Sequence, residues 1–190
     1  MVAFELDFEN RQSRPTPRRD SGSVKYRLDV VASSAADVVG SIGGWVYDRV
    51  RAGWDVNVLL AQECDDRPLQ ILGVHAVERD PHFLATSTEC AARGLAVSAD
   101  IFAADGRIRA EVLAALDHWM TEVTLWHEDW PLNVGYRTTT VQHVLSGAAR
   151  AFKRQALAAA GLPGEVGPTE TLRSDMKASL PVESELIPVG

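Results

Sequence analysis

Three groups of side chains in this sequence could meet a ligand, and each sits where a strand is expected to end. Ser33 and Ser34 follow the first apolar run, and Asp100 to Asp105 follow a later one. The richest group is His127-Glu128-Asp129, continuing through Gly135, Tyr136 and Arg137 into Thr138, Thr139 and Thr140. With the threonines read as a helix start, backbone amides, hydroxyls and a guanidinium there could hold a phosphate or carboxylate. An ordinary threonine cap beside a surface arginine is the simpler account, and it carries more weight.

Other chemistries leave fewer traces. No Gly-x-x-x-x-Gly-Lys-Ser/Thr loop is present, which disfavours a nucleoside triphosphatase. No Gly-x-Ser-x-Gly elbow and no His-Glu-x-x-His helix appear. His127, Glu128 and Asp129 are adjacent, and neighbours on a strand or loop point apart. His75, Asp80 and His82 make a second weak set. Cys64 stands between Glu63 and Asp65, a negative surround that disfavours a thiolate, and Cys90 lies among alanines. Acid–base work by His127 with Asp100 is chemically sensible, but nothing in the spacing singles it out. The sequence therefore assigns no catalytic residue, no metal and no cofactor.

Composition sets the frame. The chain has 190 residues, 46% of them hydrophobic, which suits one domain with an ample core. Residues 1–24 read as a disordered basic arm, residues 25–161 as a single α/β domain, and residues 162–190 as a flexible tail containing proline and glycine. Two cysteines make no disulfide framework, and neither a signal peptide nor a membrane-length apolar run is visible, so a cytoplasmic protein with no membrane partner is expected. The net charge of −7 conceals basic blocks. Arg11, Arg14, Arg18, Arg19, Lys25 and Arg27 face only Asp20, and Arg137, Arg150, Lys153 and Arg154 lie in a stretch without acids. Nucleic-acid binding through the arm and the last helix is the least favoured reading, because the chain is acidic and carries no recognition motif.

The elements follow from periodicity. Tyr26, Leu28 and Val30 alternate as a strand, and Ser34 with Asp37 opens a helix running to Gly53. Its core stripe is Val38, Val39, Ile42, Trp45, Val46 and Val50, with Arg49 in the same arc, its stem expected to snorkel past the core, or, as the less favoured alternative, to meet a buried carboxylate. Trp54 to Leu60 is the second strand, and a Leu60–Leu69 hairpin returns antiparallel through Leu69 to Val74. A helix from Asp80 to Arg93, a strand through Leu95 to Ile101, a helix capped by Asp105 and reaching Trp119, a strand over Glu122 to Trp126 and a final helix from Thr139 to Ala160 complete the chain. On that last helix His143, Arg150, Lys153 and Arg154 are expected on the polar face. The fold class is α/β, a three-layer, mostly parallel five-stranded sheet with one antiparallel hairpin. It resembles Rossmann-like and other small doubly wound domains at fold level alone, and fold is not function.

Gly40, Gly43 and Gly44 interrupt the first helix, where each costs about 1 kcal/mol relative to alanine. The stripe of Ala36, Gly40 and Gly44 predicts a close approach, most simply by the chain's own sheet or a neighbouring helix. With no catalytic pattern to follow, the leading expectation is a non-catalytic regulatory or protein-interaction domain, docking or dimerising through Gly40 and Gly44. The alternative is a binding module or enzyme for a small anionic ligand at the strand ends.

Overall fold

The computed structural model describes residues 26–62, 65–77, 92–118, 121–127, 130–175 and 186–189. Strand β1 (Tyr26–Ala32) buries Leu28 and Val30 toward one face and Asp29 and Val31 toward the other. Helix α1 (Ala35–Arg51) starts where the Ser34 hydroxyl accepts the Asp37 amide, satisfying one of the first-turn donors. Val38, Val39, Ile42, Trp45 and Val46 are buried as their spacing requires. Gly53, at φ 89°, turns the chain into β2 (Asp55–Leu60), which runs parallel to β1 from Arg27 opposite Asp55 to Ala32 opposite Leu60.

The chain continues through α2 (Arg67–Ile71), β3 (Ala76–Val77), β4 (Ala92–Ser98), α3 (Ala99–Ala104), α4 (Gly106–Asp117), β5 (Thr121–Trp126), α5 (Leu132–Gly135), β6 (Thr139–Val144), α6 (Gly147–Ala159), β7 (Thr169–Ser174) and β8 (Leu186–Pro188). The sheet order is β3-β2-β1-β4-β5-β7-β6-β8. The β3-to-β5 part is parallel, and β7, β6 and β8 join antiparallel. One core lies under α1, α2 and α6 and contains Leu28, Val30, Trp45, Leu69 and Leu157. The other, beneath α3 and α4, contains Val31, Leu95, Val97, Phe102 and Leu116. This is a three-layer α/β fold with a mostly parallel sheet; it has eight strands among the described residues, against five expected.

Four local expectations are corrected. The return after β2 is not a hairpin: Pro68 sits in the first turn of α2, and β3 pairs parallel with β2. A short apolar run such as Leu69 to Val74 fits a helix or a strand equally, so its pattern could not arbitrate. Antiparallel pairing exists instead at the far side of the sheet.

The helix expected from Thr139 begins at Gly147, capped by the Ser146 hydroxyl. Before it, Val141, His143 and Leu145 are buried alternately, and the β-branched run Thr138 to Val141 suits a strand.

Residues 162–190, expected as a tail, supply β7 and β8. Strand β7 points Glu170, Leu172 and Ser174 inward, so only one of its buried residues is apolar and the hydrophobic signal is nearly silent. Arg49 does not snorkel to solvent: it is buried, with its guanidinium 4.7 Å from the Trp54 ring centre and 5.5 Å from that of Trp45. The basic arm, residues 80–91 of the expected helix, Trp119, both cysteines, His82, Glu128 and Asp129 lie outside the described residues, while Ala92 and Arg93, expected to end that helix, open β4.

Candidate functional site

The first turn of α1 meets the end of β5 through Asp37. Its Oδ1 accepts from the Trp126 indole at 3.0 Å and lies 2.8 Å from His127 Nε2, while Oδ2 accepts from the Ser33 hydroxyl at 3.2 Å. Ser41, one turn on, places its hydroxyl 3.4 Å from Asp37 Oδ1 and 3.3 Å from His127 Nε2. The positive end of the α1 dipole favours the carboxylate there. The Asp37 side chain is only 9% exposed against 41% for His127, so an enclosed carboxylate presents an accessible imidazole. His127 has φ 69°, in the left-handed region that non-glycine residues seldom occupy. Such an outlier is tolerated only where surrounding contacts over-determine it, and it is a common mark of a working site.

The hydrogen bond fixes what the ring can do. A carboxylate only accepts, so Nε2 carries the proton and the neutral ring keeps its lone pair on Nδ1. Ser41 and Asp37 address the same ring nitrogen. A relay of serine, histidine and carboxylate needs them on opposite nitrogens, so Ser41 is not placed as a nucleophile.

His127 lines a cleft of about 660 Å³ with Trp126, Trp130, Leu132, Tyr136, Thr140, Thr171, Leu172 and Arg173. That volume is ordinary for a small-molecule site. Arg173, from β7, donates to the Thr138 and Thr140 hydroxyls at 3.1 and 3.3 Å and to the carbonyls of Gly135 and Thr138 at 3.0 and 2.9 Å. All four oxygens are neutral, so they hold the guanidinium in place without cancelling its charge. Leu132 and Tyr136 are 73% and 84% exposed on the same segment, an unusual placement for large apolar side chains unless something covers them.

Of the residues anticipated at the strand ends, Ser33 and Ser34 both contact Asp37, which holds His127, while His127 and Thr140 are the ones that line the cleft. Thr138 is buried and donates to the Val134 carbonyl, and Thr139 is exposed in β6. Neither stands at a helix start. Arg137 turns to the end of α4, where it donates to the Leu116 carbonyl and pairs with Asp117 at 2.7 Å. Asp100 is exposed in the first turn of α3 and does not line the cleft.

Asp37 was legible only as a cap. Trp126 and Ser41 carried no advance signal beyond their place beside it, and Arg173 lay in the supposed tail. Among the described residues no three His, Cys, Asp or Glu side chains group in a way that could hold a metal ion.

The glycine-bearing face of α1 is occupied by the chain itself. Glu170 reaches from β7 to accept the amides of Gly44 and Trp45 at 2.9 and 2.8 Å, in the middle of the helix. Lys153 of α6 pairs with Glu170 at 2.5 Å and donates to the Gly40 carbonyl at 2.8 Å. Both ionic groups are buried, so Lys153 leaves the expected basic face, while Arg150 and Arg154 remain exposed. His143 is likewise buried, with Nε2 2.9 Å from Asp48. A third polar cluster lies at the start of β5: burial pushes the Glu122 carboxyl above its ordinary range, against the opposing pull of Arg49 and the Ser174 hydroxyl.

A three-layer α/β domain with a histidine–carboxylate pair at the strand ends defines the class of protein in which the site sits. No protein-family model matches the sequence and no curated protein matches it. Solved structures do share the fold. A deacetylase of the teicoplanin biosynthesis pathway in complex with teicoplanin aligns with a TM-score of 0.51 at 14% identity, over 78% of this chain and 97% of that one. A deacetylase–bog complex from the same pathway aligns with a TM-score of 0.52 at 14% identity over the same shares. The expectation of a non-catalytic regulatory or interaction domain is corrected accordingly. Its fold neighbours are enzymes, and the glycine stripe on which docking rested is filled at Gly44 by Glu170 and Leu145.

Proposed function

We propose that this protein is an enzyme that takes a small carboxylate- or phosphate-bearing molecule into the cleft beside β5, with His127 accepting a proton and Asp37 fixing its ring. The observation that carries this reading is the 2.8 Å contact between a largely enclosed carboxylate and an exposed imidazole on the cleft wall. Held by Asp37 at Nε2, His127 offers Nδ1 as a general base, a role that contributes about 10²–10⁴-fold to a rate. Arg173 supplies the charge that would hold an anion. The fold neighbours are deacetylases, and deacylation liberates a carboxylate. Hydrolytic deacylation is therefore the reaction class to test first: water adds its oxygen to the acyl carbon, the bond to nitrogen or oxygen breaks, and the leaving group takes a proton.

The experiment has two arms. A thermal-shift series with acetate, benzoate and phosphate reads binding; a ligand at 100 times its Kd adds about 2.7 kcal/mol of stability. At about 2–4 °C per kcal/mol for a chain of this size, a shift of roughly 5–10 °C is expected. Turnover is read with 4-acetamidobenzoate and 4-acetoxybenzoate, which carry both an acyl group and an anion, and His127→Ala should lose turnover while keeping the thermal shift. Undiminished turnover in that variant, or no shift with any of the three anions, overturns the reading. The cytoplasm is the compartment that suits this reading, supported by just two cysteines in 190 residues; recovery of the protein in a membrane or secreted fraction would refute it.

A further inference from the structure

A second cavity of about 430 Å³ adjoins the segment that roofs the His127 cleft. Phe102 of α3, Arg109 and Leu113 of α4, and Trp130 and Asn133 are among the residues that line it. Leu132 and Tyr136 face the first cleft and Asn133 the second, while Trp130 lines both. The indole of Trp130 donates its single N–H to the His127 carbonyl at 3.1 Å and meets the Phe102 ring edge-on, with centres 5.0 Å apart. With that N–H engaged, what the indole shows to the two cavities is apolar ring surface. Arg109 donates to the carbonyls of Phe102 and Ala103 at 3.2 and 2.6 Å, which anchors its cation over the Phe102 ring at 5.7 Å.

We propose that the two cavities are the two halves of one binding site for an aryl acid with two ring-bearing parts. The anionic part lies against Arg173, in the cleft that His127 also lines, and the second ring lies against Phe102, Leu113 and Trp130. This rests on the ligand site proposed above and names the class of molecule it takes. Each volume alone falls in the range of a small-molecule site, and the shared indole gives the ligand one continuous aromatic wall. Trp130 is also bonded to the backbone of the strained His127, so a ring seated in the second cavity bears on the residue that handles the proton.

The probe is 8-anilinonaphthalene-1-sulfonate, which carries a fused ring pair, a second ring and one anionic group, with benzoate as the single-ring control. Fluorescence titration of the folded protein should show one saturable site, and benzoate should compete for it. Leu113→Trp fills the second cavity and should weaken the two-ring probe at least tenfold while leaving benzoate binding within twofold. Asn133→Trp, at an exposed position, repeats the occlusion should the first variant fold poorly. Unchanged probe affinity in both variants, or equal loss of probe and benzoate, overturns the joined site. If benzoate does not bind the parent protein, the anion site itself fails. If in that case the probe still binds and is lost on occlusion, the second cavity is a separate site and the joined-site proposal is refuted.

Discussion

Two alanine substitutions one turn apart on α1 should move stability in opposite directions. In a helix interior Gly→Ala gains about 1 kcal/mol of propensity. At Gly40 the added methyl would find Leu162 Cδ1 at 3.8 Å, an ordinary contact at an exposed position, so Gly40→Ala should stabilise by about 0.5–1 kcal/mol. At Gly44 the same methyl would stand 2.4 and 2.8 Å from the two Leu145 methyls and 3.1 Å from Glu170 Oε1. Leu145 is buried, and Glu170 is held by two amides and an ammonium, so neither yields freely. Overpacking costs about 1–3 kcal/mol, and loosening hydrogen bonds to a charged group adds about 1.5 kcal/mol or more. Against the propensity gain, Gly44→Ala should destabilise by about 1.5–3.5 kcal/mol. The two variants should thus differ by roughly 2–4.5 kcal/mol, or by about 4–18 °C in Tm at about 2–4 °C per kcal/mol for a chain of this length. Urea unfolding followed by far-ultraviolet circular dichroism, with equal slopes in both variants, measures the difference. Stabilisation by both substitutions would show that Glu170 does not sit against Gly44, and the account of this helix would fail.

Further outcomes follow from the same contacts. Glu170→Gln leaves the Lys153 ammonium buried without its counter-charge and should cost about 3–5 kcal/mol in the same unfolding assay; a loss under 1 kcal/mol would contradict the buried pair. Glu122 has a folded pKa above its ordinary 4.5, so the folded chain binds that proton more tightly than the unfolded one. Its contribution is fully present below 4.5 and fades as pH climbs through the raised value. Stability measured from pH 4 upward should therefore fall more steeply in the parent than in Glu122→Gln, and parallel curves would refute the shift. Asp37→Asn, which no longer fixes the His127 tautomer, should lower kcat about 10²-fold or more with little change in KM; an unaltered kcat would remove Asp37 from the mechanism.

The β1–α1–β2 unit was legible because three independent signals agree there: alternation in the strands, a serine cap, and a glycine stop. Ser33, Ser34 and His127 were singled out by the rule that ligands gather at strand ends. Beyond β2 the agreement fails. Leu69 and Leu72 are too few to set a period, and Thr139 to Leu145 fits a helix at spacing four and a strand at spacing two. Strand β7 was invisible for a different reason. Two of its three inward positions, Glu170 and Ser174 on either side of Leu172, are polar groups made buriable by partners outside the strand, Lys153 and Glu122. Arg173, the cation of the cleft, was lost with it. The interaction reading failed on the same blindness, since the glycine stripe is met by a carboxylate from a segment that looked unstructured.

The place of β7 in the sheet also sets an order of assembly. It lies between β5 and β6, both of which precede it in the chain, and it carries Thr171, Leu172 and Arg173 of the cleft wall. A nascent chain can complete β1, β2, β4 and β5 and cover them with α1, α3 and α4 while the ribosome is still upstream of residue 169. Until the later strand threads into the gap, α1 lacks the carboxylate that receives its two mid-helix amides. A chain ending before residue 169 would therefore lack the Thr171, Leu172 and Arg173 part of the cleft wall.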